Sequence, residues 1–231
     1  MRIWGLAATL GLAAFAFLLG QVVGLAALTA VKSFDPLRAA TDGTALAVAT
    51  LAADLVQTIT LILAARLTGS GAVAYFSLLI PGRRNVAIAL AALAAAIVFG
   101  DVLTVALGRD TVPAFQLDMF RSAQSEGTLV WLSLSIVLVA PACEELLFRG
   151  FLFRGLVREP RDGLPGILII ALLWSLLHIQ YDWLGVTLVF VIGVMFGYVR
   201  LYAGSTLLVI LLHMLLNLES VGETFFVLGW L

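Results

Sequence analysis

The chain has 231 residues, 62% of them hydrophobic and 12% charged, with a formal net charge of −1. Soluble domains carry about 25% charged residues, so this composition excludes a water-soluble globule, and a charge balance near neutrality offers no basic surface for nucleic acid. The single cysteine, Cys143, excludes an intrachain disulfide and a thiolate metal cluster; its expected role is a small packing residue rather than a thiol nucleophile.

Several apolar runs reach the ~20 residues that cross a bilayer. The chain therefore reads as all-α: one membrane-embedded domain over 1–231, a polytopic transmembrane bundle of about eight helices, the last short or re-entrant. The first span is predicted at 3–30. It opens like a signal peptide, Met1-Arg2-Ile3-Trp4, but its apolar run continues to Val31, beyond the usual h-region, so it reads as an uncleaved helix, with cleavage near Ala30 as the alternative. A polar loop with Lys32, Asp35, Pro36, Arg38 and Asp42 follows. The second span, 44–67, contains Asp54, read as a structural polar contact or an interface residue. Gly69, Gly71, Pro81 and Gly82 mark a connector around the short apolar piece 73–80, which is expected to lie in the interface. The third span is 86–107, with Asp101 near its far end, and a polar stretch, 108–127, closes the N-terminal half.

The fourth helix, 128–157, carries Pro141, Glu144, Glu145 and Arg149. Pro141 should kink it or free a backbone carbonyl one turn before the glutamates. The fifth, 165–180, ends in His178. The sixth is 183–201, and the seventh, 205–217, carries His213. The remaining piece, 221–231, is too short for an unassisted crossing and is read as a short eighth span or a re-entrant segment. With eight spans, Arg2, Arg66, Arg83, Arg84, Arg154, Arg158, Arg161 and Arg200 share one side, and Lys32, Arg38, Arg109 and Arg121 the other. Basic residues favour the cytoplasm, so both termini are expected there, in a multi-pass protein of the cell membrane. The Ala/Leu-rich style suggests a bacterial plasma membrane.

Carboxylates within hydrocarbon mark functional sites by default. Glu145 and Arg149 are i,i+4 with Glu first, the favourable order for an ion pair, whereas Glu144 points about 100° away. That leaves Glu144 free to act as a general base. Trp174 and His178 share a helix face, as do His213 and Asn217. A carboxylate with a histidine can hold and deprotonate a water, and an imidazole beside a carboxamide can donate two hydrogen bonds to an oxyanion. Singly, each element has a plainer reading: an interhelical hydrogen bond, a structural ion pair, a chance spacing. Jointly they favour peptide hydrolysis without a covalent intermediate, at a water-filled site near mid-membrane.

In order, Glu144-Glu145-x-x-x-Arg149, Trp174-x-x-x-His178 and His213-x-x-x-Asn217 resemble the CPBP intramembrane proteases, which include the type II CAAX prenyl endopeptidases and the bacterial Abi proteins. The resemblance covers about 128–218 and implies a catalytic core there, on a fold of about eight transmembrane helices. It implies that Glu144 and His178 activate the attacking water, that His213 and Asn217 stabilise the oxyanion, and that Glu145 and Arg149 support the site. The family usually has Phe where this chain has Trp174, a change expected to narrow the cavity. No cofactor is implied. The expected partners are a membrane-protein or peptide substrate and the lipid bilayer.

Three other functions compete. Glu144, His178 and His213 could form a two-His-one-carboxylate metal site, although no His-Glu-x-x-His motif is present. The chain could be a non-catalytic scaffold or immunity protein on the same fold. A transporter is less favoured, because the buried charges cluster in one half of the chain.

Overall fold

A computed structural model describes residues 3–31 and 41–231. The readings made on Arg2, Lys32, Asp35, Pro36 and Arg38 lie outside them. Among the described residues there are nine helices and no strand, taking the continuous run Leu129–Leu156 as one. They are α1 (Leu6–Val31), α2 (Gly43–Leu67), α3 (Ala72–Tyr75), α4 (Arg83–Ala106), α5 (Ala114–Ser125), α6 (Leu129–Leu156), α7 (Gly163–Leu176), α8 (Trp183–Ala203) and α9 (Thr206–Val227).

Six of them, α1, α2, α4, α6, α8 and α9, are long and apolar enough to cross a membrane. Their outer surfaces fit hydrocarbon rather than water. The 24 residues of α4 bury only Ala89 and Leu93 and leave Val98, Phe99, Val102 and Val105 outside. A helix that is apolar all round is stable only in an apolar surrounding, and its internal backbone hydrogen bonds suit it to one. The protein is a multi-pass membrane protein.

Small residues set the close contacts. A Cβ on Gly20 would sit 2.7 Å from the Ala53 carbonyl oxygen, and one on Gly24 2.6 Å from that of Ala49, so α1 and α2 meet backbone to backbone. Gly193 and Gly197 leave room on α8 for α7 side chains, those of Trp174, Ala171 and Ile167. The main core gathers Leu61, Tyr75, Phe76, Phe151, Trp174, Phe196 and Leu212. A smaller one, around Met119, Phe120, Leu132 and Val221, fills the end of the bundle where α2 begins and α9 finishes.

Several expected elements differ. The piece 73–80 is anchored to the bundle at its middle, while Val73, Leu79 and Ile80 stay exposed. Tyr75 and Phe76 are buried at 0% and 1% exposure, and backbone and side-chain bonds tie Ser77 and Leu79 to Thr206, Arg200 and Ser205. The polar stretch 108–127 contains a helix, α5, whose buried side holds Gln116, Met119, Phe120 and Ala123. Its face is amphipathic where the transmembrane helices are uniformly apolar, so a search for long apolar runs passes over it. The fifth helix stops at Leu176, and His178 lies in the turn beyond. At 14 residues, α7 is about 21 Å long, short of the hydrocarbon thickness.

The seventh and eighth pieces are one helix, α9: the chain runs through Glu219, Ser220 and Val221 without a break, and 221–231 forms no separate span. Its start lies by Ser77, and its last turns lie by Gln116 and Phe120. At the first of these ends Trp4 donates to the Ala64 carbonyl and its own carbonyl accepts from Arg158. Trp4 and the end of α9 thus occupy opposite ends of the bundle, and among the described residues no further crossing follows α9.

Candidate active site

The site begins with a defect in α6. Ser135–Val139 and Leu146–Leu152 are wound as wider π turns, with the α-helical stretch Ala140–Glu145 between them. Such bulges are rare and concentrate at functional sites. Pro141 contributes directly. The Ala140 N–H, which in an α-helix would reach the Ile136 carbonyl, bonds Ser135 instead. Pro141, the next donor in line, has no N–H. The Ile136 carbonyl is therefore free, and the Asn217 amide nitrogen donates to it at 2.8 Å.

The turn between Glu144 and Glu145 sends them to different surroundings. Glu145 is fully buried, as is Arg149, whose guanidinium donates to Glu145 Oε1 at 2.9 Å. The ring of buried His213 meets the same oxygen through Nδ1 at 3.0 Å. Arg149 also donates to the Gly193 carbonyl at 3.0 Å and stacks 4.7 Å from the Trp174 ring centre. The unwound Arg149 carbonyl accepts from Arg200 and Thr206, which locks α6 to α8 and α9. Glu145 Oε2 and Arg149 Nε are buried without a hydrogen-bond partner among the described residues.

Glu144 is half-buried, and its Oε2 accepts from the Trp174 indole N–H at 2.6 Å. The Trp174 carbonyl in turn lies 2.9 Å from His178 Nδ1. A carbonyl can only accept, so Nδ1 carries the proton, and Nε2 of neutral His178 is an acceptor. One tryptophan therefore touches both the first glutamate and the first histidine. Its ring also stands edge-on to His178 at 5.0 Å and to His213 at 5.3 Å.

A cavity of about 760 Å³ opens at the end of the bundle where α4 and α7 finish. Trp174, His178, His213 and Asn217 line it; Glu144 does not, being separated from it by the indole. The mouth is strapped by an Arg109–Asp182 ion pair, a Thr111–Glu223 hydrogen bond and an edge-to-face contact of Phe115 with Tyr181 at 5.2 Å.

The sequence reading overlooked Tyr181, three residues after His178. It lines the cavity and stacks on the His178 ring at 6.3 Å. Burial first, then the nearby charge of Glu144, push its phenol above the ordinary value of 10.0. An aromatic residue within the polar break after His178 was the available signal. Glu219 and Glu223 also face the cavity, as does Asp101. Asp54 turns inward on the α2 face that carries Gln57, whose amide reaches the Cys143 carbonyl at 3.5 Å; Asp54 Oδ2 is buried without a partner among the described residues.

Fold and site together define a helical membrane protein in which Trp174, His178, His213 and Asn217 line a cavity and Glu144 bonds the indole at its wall. Residues 126–218, from just before α6 to the middle of α9, match the family described as type II CAAX prenyl endopeptidase Rce1-like. The matched segment is similar to the Rce1-like family, and this likeness supports a CAAX-type intramembrane protease in general. Comparison with curated proteins and with solved structures finds no match.

Proposed function

We propose that the protein is an intramembrane endopeptidase that hydrolyses a peptide bond of a membrane-protein or peptide substrate with water activated by Glu144 and His178. The observation that carries this reading is the link from Glu144 through Trp174 to His178 at the wall of the cavity. Glu144 takes a proton from the water, and the hydroxide attacks the scissile carbonyl. His178 Nε2 is a second acceptor for the same water. Asn217 has one amide hydrogen on Ile136 and a second to offer the oxyanion. His213, whose Nδ1 lies on Glu145 Oε1, donates through Nε2 when both ring nitrogens carry protons. The proton on Glu144 then passes to the leaving amine as the C–N bond breaks.

The reading invokes no metal and no cofactor. Among the described residues no three of His, Cys, Asp and Glu converge as a metal ion would require. Loss of activity on chelation, restored by Zn²⁺, would favour the metalloenzyme instead. A non-catalytic scaffold on the same fold is the second reading, favoured by the place of Glu144 behind the indole rather than on the cavity wall.

The deciding experiment compares peptides retained in membranes by Glu144→Ala with those retained by wild type. Trapped, uncleaved substrates are expected only in the variant. Purified protein in proteoliposomes should then cleave the trapped sequence, and farnesylated and unmodified forms of one quenched CAAX peptide should report whether a prenyl group is required. A cellular phenotype that survives Glu144→Gln would establish the scaffold.

A further inference from the structure

We propose that Trp174 is a positioning residue for Glu144: its indole N–H fixes the carboxylate, selects which oxygen meets the water, and sets the distance to His178. The inference rests on the hydrolytic reading above and adds a residue to it. The N–H donates to Oε2 at 2.6 Å, the short range of a charge-assisted bond. No protein hydrogen bond reaches Oε1 among the described residues, and Oε1 is not a buried, unpartnered atom. The indole therefore takes one oxygen and leaves the other for water.

The donor itself is held still. Trp174 is 2% exposed, with the Arg149 guanidinium on its face and both histidine rings at its edges. Its back lies on the bare Gly193 backbone, where a Cβ would come within 3.0 Å of the indole Cε3. Through its carbonyl the same residue holds His178 Nδ1 at 2.9 Å. Displacement of this backbone or ring would move both halves of the water-activating pair. Phenylalanine would keep most of the packing and supply no donor, so shape alone does not explain an indole here.

The test separates shape from donor. Position 174 is replaced by 3-benzothienylalanine, which has the outline of tryptophan with sulfur in place of the N–H, and separately by Trp174→Phe. Resonance Raman difference spectra of wild type against Trp174→Phe isolate the indole N–H marker of Trp174. In wild type it should report a strong hydrogen bond that weakens in Glu144→Leu; no change would overturn the proposal. This readout needs no turnover and so decides the bond whatever the substrate. On the quenched farnesylated CAAX peptide, the benzothienyl protein should lose kcat by roughly ten- to a hundred-fold, the range for a hydrogen bond to a charged group, with KM within about two-fold. A retained kcat, or a change in KM alone, would count equally against the proposal. If Glu144→Gln is inactive while the benzothienyl protein is fully active, only the role of Trp174 fails. If Glu144→Gln is itself active, the hydrolytic reading fails.

Discussion

The two faces of α6 that carry Glu145 and Glu144 differ in how completely their charges are answered. On the Glu145 face a buried carboxylate, a buried guanidinium and a buried imidazole share bonds, and the guanidinium reaches on to α8. On the Glu144 face a half-buried carboxylate has, among the described residues, one donor, an indole, and one unengaged oxygen. A charge in an apolar interior is tolerated when its partners are fixed, and removal of a partner then strands it. Glu145 cannot leave Arg149 and His213 to attend to a water without creating such a stranded charge. Glu144 can, because one of its oxygens has no partner among the described residues to lose. Neighbours in sequence thus divide into a residue that holds three helices together and a residue with an oxygen that no described residue engages.

In order of expected loss of stability, Arg149→Ala comes first. It leaves Glu145 buried with only His213 opposite, and removal of one member of a buried pair costs about 3–5 kcal/mol. Thermal unfolding in detergent should show a large drop or no folded protein. Stability close to wild type would mean that the Glu145 face is not the structural one.

Asn217→Ala is next, and it touches both roles. It orphans the Ile136 carbonyl that Pro141 leaves free, a loss of about 1–3 kcal/mol for a buried unsatisfied group. In protein that remains folded, kcat should also fall by roughly 10²–10³-fold, the range for one oxyanion donor. A stability loss with unchanged kcat would confine Asn217 to helix repair. Glu144→Gln should do the reverse: a stability change under about 1 kcal/mol, as for a single net hydrogen bond, with activity down by roughly 10²–10⁴-fold, as for a lost general base. Parallel losses of stability in Glu144→Gln and Arg149→Ala would erase the distinction between the faces.

Much of this division is legible in the sequence because it needs only helix geometry. The i,i+4 step joins Glu145 to Arg149, and the 100° turn sends Glu144 elsewhere. The long apolar runs gave α1, α2, α4 and α8 within a few residues for the same local reason. What could not be read is non-local. Pro141 announces a free carbonyl, but only the fold brings Asn217, 81 residues away, to Ile136. The bare Gly193 backbone that seats Trp174 reads in sequence as one more apolar-helix glycine. Asn217, Glu219 and Ser220 look like the end of a helix, and α9 continues because their polar side chains face the cavity, and Gln116 of α5 bonds Ser220, where lipid would have stopped them.

The smallest effect tests whether Glu144 is felt in the cavity at all. Tyr181 lies outside the long spans, and burial and the Glu144 charge both hold its phenol above 10.0. The unfolded chain ionises this group at about 10, so above that pH the unfolded state has shed a proton that the folded state keeps. The Tyr181 contribution to stability is therefore undiminished below about pH 10, falls as pH rises beyond it, and levels off once the folded phenol ionises. Tyrosinate absorbance of wild type minus Tyr181→Phe should titrate above 10 and move down in Glu144→Gln, which removes the second cause and leaves the first. A midpoint that Glu144→Gln leaves in place would mean that the indole isolates Glu144 from the cavity. The Glu144 face would then be as closed as the Glu145 face, and a water could reach that carboxylate only after Trp174 moved aside.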